Sequence, residues 1–173
     1  CKDANGYYYT CVRAGDLLWM AEDLRPLNNI PDLTVTSSAS TWVDANENTP
    51  MEFLVDGAAY YNLAAIEKVV PAGWHVPSAG EADYMINKLG NHNTVGNLLK
   101  SRDFNWERPV KGLDSISFGG FPNGYIDRDG ILQSKNKKGC WITSSTMKHG
   151  KVVSMEISLY NDTVYSPISH SHN

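Results

Sequence analysis

Gly73-Trp74-His75-Val76-Pro77-Ser78 is the stretch on which the reading of the fold turns. Ser78 stands three residues before Glu81, the spacing of a capping box, in which the Ser hydroxyl accepts from an early helix N–H and the Glu reaches back. Beyond it Ala82, Met85, Ile86 and Leu89 recur at helical period and make one apolar stripe. Gly90-Asn91 then supplies residues that tolerate positive φ and end a helix. The spacing predicts a helix over 79–89, with Pro77 and Ser78 as its corner. Trp74 is expected to plug the core beneath that corner and His75 to bond its backbone.

Working outward, Ala58 to Ile66 carries Ala59, Leu63 and Ile66 on one face and reads as a first helix that ends before Pro71. Residues 28–56 are irregular and polar, with one strand expected near Leu33–Thr36 and with Trp42 and Phe53 as isolated anchors. A long irregular stretch in a compact domain often carries function. At the start, Asp3 to Tyr9 around Asn5-Gly6 reads as a hairpin, and Leu17-Leu18-Trp19-Met20 as a short buried strand. After residue 94 the pattern changes to β-prone runs divided by turns: 96–99, 116–121, 125–126, 131–133, 140–144, 151–160 and 163–165. Asp127-Arg128-Asp129-Gly130 is a turn between two of them. Val153, Met155, Ile157 and Leu159 alternate with polar residues, as in a half-buried strand. Helices early and strands late make an α+β domain, read as one unit over 1–173.

A chain of 173 residues can bury its own core. Its net charge of −4 and the lack of any long cationic run exclude a nucleic-acid surface; Lys135-Asn136-Lys137-Lys138 reads as a solvated loop. No apolar run is long enough to span a membrane. Five Trp and nine Tyr against four Phe is a polar-aromatic bias, shared by recognition surfaces and aromatic β cores. The three cysteines, Cys1, Cys11 and Cys140, allow three pairings. A three-residue loop at Asn5–Tyr7 would put Cys1 opposite Cys11, and a bridge there is the expectation for an exported protein; a two-residue loop would put Cys1 opposite Thr10. No signal peptide is seen. Cys1 also fits the lipidated first residue of a mature bacterial lipoprotein, a fragment boundary being the other reading.

Six segments in order resemble the motifs of the bacterial major paralogous domain family of the Fibrobacter type (FISUMP). They are Trp19-Met20-Ala21-Glu22-Asp23-Leu24, Tyr60–Ala65, Gly73–Ser78, Gly96-Asn97-Leu98-Leu99-Lys100 with Trp106, Phe118–Tyr125, and Gly139–Thr146. The order is collinear over roughly residues 3–165. The resemblance implies a C-type-lectin-like fold, with two helices flanking a twisted antiparallel sheet and long irregular loops. It also implies a secreted or surface-anchored bacterial protein, an outer-membrane lipoprotein among the options. The chain departs from the family in having Ala82 where a Trp is usual and Cys140 where an aromatic is usual. The usual closing strand is the third departure: either it is missing from this fragment or residues 163–168 substitute for it.

Such a fold invites a calcium site, which needs six to eight oxygens. Phe121-Pro122-Asn123 lacks the carboxylate of the lectin triplet, Tyr160-Asn161-Asp162 is only similar to its partner motif, and Asp127 with Asp129 is explained by a turn. No metal and no cofactor are expected. Cys140 has no cysteine neighbour in sequence, which leaves a formylglycine-generating type of oxidase as the lesser alternative, beside a purely structural module. His170 and His172 read as a tail. What remains is binding without catalysis, toward a protein or glycan at the cell surface, and the resemblance implies a ligand face that carries Trp106, Arg108, Tyr125, Asp127, Arg128, Ser145, Thr146, Tyr160 and Asn161. A diversified receptor-binding or pilus-tip adhesin is the sharper form of that expectation.

Overall fold

The computed structural model describes residues 1–28, 30–45, 48–102, 106, 112–146 and 152–165. In chain order the elements are β1 (Cys11–Ala14), β2 (Leu17–Met20), β3 (Thr34–Thr36), α1 (Ala39–Asp44), β4 (Met51–Val55), β5 (Ala58–Tyr61), α2 (Ile66–Val69, entered through a 3-10 turn at Leu63–Ala65), α3 (Ala79–Leu89), α4 (Gly96–Leu99), β6 (Tyr125–Ile126), β7 (Leu132–Gln133), β8 (Lys138–Thr146), β9 (Val152–Ser158) and β10 (Val164–Tyr165). The architecture is α+β, with short helices and small sheets whose strand pairs are antiparallel except for β3 on β4. The chain divides into two compact units: Cys1–Tyr9, Asp23–His75 and Tyr125–Gln133 in the first, Thr10–Glu22, Val76–Gly124 and Ser134–Asn173 in the second.

The first unit is organised on the sheet β3-β4-β5. Here the structure corrects the helix read over 58–66: Ala58–Tyr61 is a strand paired with Val55–Glu52. The cause is the Asp56-Gly57 turn, with φ of 51° and 80°. Positive φ at both central residues matches the right-handed twist of a tight hairpin, and Asp-Gly is among the few pairs that accept it. Only Leu63 onward turns helical, started by Asn62, whose side chain accepts from Ala65 N. The expected loop over 28–56 holds its strand at Thr34–Thr36, but also α1, N-capped by Ser38, and the buried start of β4 at Met51, Glu52 and Phe53. Trp42 and Phe53, read as isolated, meet edge to face at 5.6 Å. Leu27, Ala65 and Val69 form the small core, with Leu24, Ile30, Leu33 and Tyr61 packed on it.

At the N-terminus, Lys2 bridges Tyr8 and Tyr9 N donates to Cys1 O. Cys1 therefore lies opposite Tyr9, and none of the three cysteines is in a disulfide. The cross-hairpin bridge to Cys11 is thus corrected. The loop is Ala4-Asn5-Gly6, one residue earlier than read, because Asp3 Oδ1 accepts from Tyr7 N and closes the turn there.

The second unit contains α3, as expected, with both arms of the capping box: Glu81 N donates to Ser78 Oγ and Ser78 N to Glu81 Oε2. Ala82, Met85 and Ile86 face the main core, where they join Ala14, Val95, Leu99, Trp106, Phe118, Met155, Ile157, Leu159 and Val164. Trp74 is not part of it; it belongs to the first unit and is half-buried. His75 is exposed. The sheet runs β10-β9-β8. Val153, Met155, Ile157 and Leu159 are all buried, as alternation requires. Val164-Tyr165 pairs with Ile157-Glu156 and supplies the outer strand; residues 166–168 of the expected substitute lie outside the described residues.

Two runs read as strands are otherwise. Gly96–Leu99 is a helical turn, and of 116–121 only Gly120 bridges, to Lys100. Glycine at 96 is required by a close approach: a Cβ there would sit 2.6 Å from Asp162 O, which accepts from Gly96 N at 2.8 Å.

Candidate functional site

The sheet of the second unit has two unlike faces. Register places Cys140 opposite Glu156, Ile142 opposite Ser154, Lys138 opposite Ser158, and Tyr165 opposite Glu156 on the other side. Because Met155 and Ile157 point into the core, these residues share the outward face, most of them half-exposed. Its centre is an ion pair with a hydroxyl beside it: Lys138 Nζ lies 2.9 Å from Glu156 Oε2, and Ser154 Oγ 3.3 Å from Glu156 Oε1. Burial, and then the Glu156 charge, push the Cys140 thiol up to about 12, which disfavours the thiolate at neutral pH.

Beyond β9 the chain turns through Tyr160-Asn161-Asp162-Thr163, and this turn is built from below. Lys100, whose side chain is fully buried, donates to Asn161 O at 2.8 Å and to Asp162 Oδ1 at 3.2 Å, with the Trp106 ring centroid 5.6 Å from its ammonium. Desolvation holds the Lys100 pKa below its ordinary value, and the Asp162 carboxylate works against that shift. On the turn itself, Thr163 N donates to Asn161 Oδ1, Asn161 Nδ2 to Tyr165 Oη, and Tyr160 N to Ser158 Oγ. The result is a turn held by several hydrogen bonds, on which Tyr160 stands 63% exposed.

The sequence-expected site residues are distributed as follows. Tyr160 and Asn161 lie on this turn. Trp106 is 4% exposed and packs in the core, so it offers no contact surface. Ser145 Oγ accepts from Ala79 N and acts as a second cap of α3, while Ser144 N donates to Pro77 O; the β-bulge between Ile142 and Thr146 lets both happen. Thr146 pairs with Val152 through its backbone. Arg108 lies outside the described residues. Tyr125, Asp127 and Arg128 belong to the first unit, on the β6–β7 hairpin, where Tyr125 and Arg128 are exposed. Asp127 is consumed by the turn: Oδ1 accepts from Ile131 N and Asp129 N, and Oδ2 from Gln133 Nε2. Those bonds, that of Ile131 first, hold its carboxyl below the ordinary value. Sequence reasoning missed Lys138, Ser154, Glu156 and Tyr165, although the alternation that found the inward residues of β9 also marks Ser154 and Glu156 as outward.

In the first unit a polar network grips the segment 25–28. Tyr9 Oη donates to Asp3 Oδ2 and accepts from Arg25 N; Tyr61 Oη donates to Arg25 O; Glu52 Oε1 accepts from Leu27 N; Asn5 bonds Pro26 O and Asn28 N. Glu52 is fully buried, and its Oε2 has no partner among the described residues. Desolvation raises its pKa above the ordinary 4.5. A raised folded pKa gives stability that is fully present below the unfolded value and is lost as pH rises through the folded one. Glu52→Gln keeps an acceptor for Leu27 N and removes the buried charge. Its unfolding midpoint should exceed that of the wild type at pH 8, with the gap closing as the pH approaches 4.5. A gap that is constant with pH would show that Glu52 does not titrate in this way.

Among the described residues, no group of three His, Cys, Asp or Glu side chains could hold a metal ion, and no helix is long and apolar enough to cross a membrane. The family model described as the Fibrobacter succinogenes major domain matches residues 12–169. No curated protein and no solved structure matches the chain.

Proposed function

Since the chain belongs to the Fibrobacter succinogenes major domain family, we propose that it is a ligand-binding, adhesive module of a bacterial surface protein, with a C-type-lectin-like fold and no catalytic role. The site is the outward face of β8, β9 and β10 with the 160–163 turn. The observation that carries the reading is the Tyr160 ring, held out at 63% exposure by a turn whose backbone is pinned by a buried lysine. An aromatic on a rigid backbone gives contact area at little entropic cost. Asn161 and Tyr165 add hydrogen-bonding groups at the turn, and Ser154 with the Lys138–Glu156 pair adds them on the outward face of the sheet. The protonated Cys140 thiol supports the non-catalytic reading, since thiol oxidation chemistry starts from a thiolate.

The ligand is a protein or glycan met outside the cell, with secretion or lipid anchorage placing the module there. Probing immobilised glycans and purified extracellular-matrix proteins with the domain and with Tyr160→Ala tests the reading. The variant should lose binding by roughly tenfold or more, the range of an aromatic anchor, while keeping stability within about 0.5 kcal/mol. Ligand binding untouched by substitution of Tyr160, Asn161 and Glu156 together would move the site elsewhere.

A further inference from the structure

The ring of His92 holds an unusual position. Its Nε2 lies 2.7 Å from Asp83 Oδ1 on α3, and its Nδ1 lies 3.1 Å from Val164 O on β10. Both neighbours are acceptors, so each bond needs a proton on the ring nitrogen that faces it. A neutral imidazole carries one such proton and leaves the other nitrogen's lone pair against an oxygen. Only the imidazolium satisfies both contacts, and it adds charge to the bond with Asp83. The backbone of the same residue completes the grip, with Val164 N donating to His92 O at 2.7 Å. Val164 is thus held by its N–H and its C=O on the side away from β9, where an outer strand would otherwise present them to a passing chain.

We propose that His92 is a proton-gated clasp that closes the open edge of the β10-β9-β8 sheet at Val164. With both ring protons in place, α3, the 91–93 loop and β10 are tied together. Loss of one ring proton breaks either the Asp83 or the Val164 contact and loosens the edge, which then keeps only the backbone bond from Val164 N to His92 O and one ring contact. Among the described residues, the ring contacts Asp83 from α3, whose Oδ2 also accepts from Asn87 Nδ2, and the Val164 carbonyl from β10. The device sits at the end of the strand that carries Tyr165, so edge opening would reach the face proposed for binding, though the clasp itself does not depend on that function.

The test is amide exchange of Val164 across pH, divided by the intrinsic rate, with the His92 ring followed by NMR in the same samples. Protection should fall by roughly tenfold or more as the ring loses its proton, the worth of a hydrogen bond to a charged group. Asp83→Asn supplies the control: the side-chain amide can donate to Nε2 of a neutral ring whose Nδ1–H still reaches Val164 O. Protection in that variant should become independent of ring titration. Val164 protection that stays level through the wild-type ring titration overturns the clasp, and so does an unchanged pH profile in Asp83→Asn.

Discussion

Lys100→Ala should cost about 3–5 kcal/mol in urea or thermal unfolding, with the 160–163 turn loosened even where the rest of the domain remains folded. Two losses add. The fully buried four-carbon stem leaves a void in a core region, which for a side chain of this size costs about 2–5 kcal/mol. The departing ammonium leaves Asn161 O and Asp162 Oδ1 without their donor. The ion pair as such contributes less than a buried one would, because Asp162 is 48% exposed and water screens it. Lys100→Met separates the two: it restores the volume of the stem without the donor and should lose only about 1–3 kcal/mol. The methionine variant should also keep the core but weaken ligand binding through Tyr160, since the turn beneath that ring is no longer pinned. Alanine at 100 with wild-type stability would mean that the lysine is not the anchor of the turn.

Trp106→Ala is the second large effect, again about 3–5 kcal/mol, as for a truncated buried aromatic. The sequence placed this residue on a ligand face; its 4% exposure and its neighbours in the core place it inside. The two assignments make opposite forecasts. A ligand-facing Trp would cost binding and spare stability, whereas a core Trp costs stability first. Trp106→Phe sharpens the comparison, because it keeps an aromatic filler and deletes an indole N–H that has no hydrogen-bond partner among the described residues. Its loss should be clearly smaller than that of the alanine variant. Unchanged unfolding in Trp106→Ala, together with lost binding, would return Trp106 to the ligand face.

Where sequence and structure agree, the determining physics is local. The capping box at Ser78 and Glu81 needs only a three-residue spacing, and it forms as read. The inward row Val153, Met155, Ile157 and Leu159 needs only period two. Where they differ, a partner outside the segment decided. Ala58-Ala59-Tyr60-Tyr61 has residues that accept either helix or strand, and β4 captured it through the Asp56-Gly57 turn. That turn is legible in the sequence, since Asp-Gly accepts positive φ, whereas the apolar spacing of 58–66 does not by itself separate helix from strand. Gly96–Leu99 coils into a helical turn while its first N–H is taken by Asp162 O, far along the chain. Of the expected site residues, Tyr160 and Asn161 remain at the candidate site, while Ser145 caps a helix and Asp127 closes a turn. A hydroxyl or carboxylate in a sequence does not disclose whether a backbone N–H will reach it first.

The sequence alone was sufficient for the family, for the α+β class and for the Gly73–Ser78 corner as the start of α3, since motif order, element periodicity and capping are properties of neighbouring residues. It also made Ser145 visible, but as a surface group, with Ser144 as the end of a β-prone run. Only the tertiary structure showed that this pair returns to the same corner, with Ser144 N on Pro77 O and Ser145 Oγ on Ala79 N. The reason is that hydrogen-bond partners more than sixty residues apart are chosen by where the sheet and helix pack, and burying apolar surface, which fixes that packing, is non-directional. The same holds for Lys100 beneath its turn and for His92 between its two acceptors: each residue type is common, and its partners gave it a role.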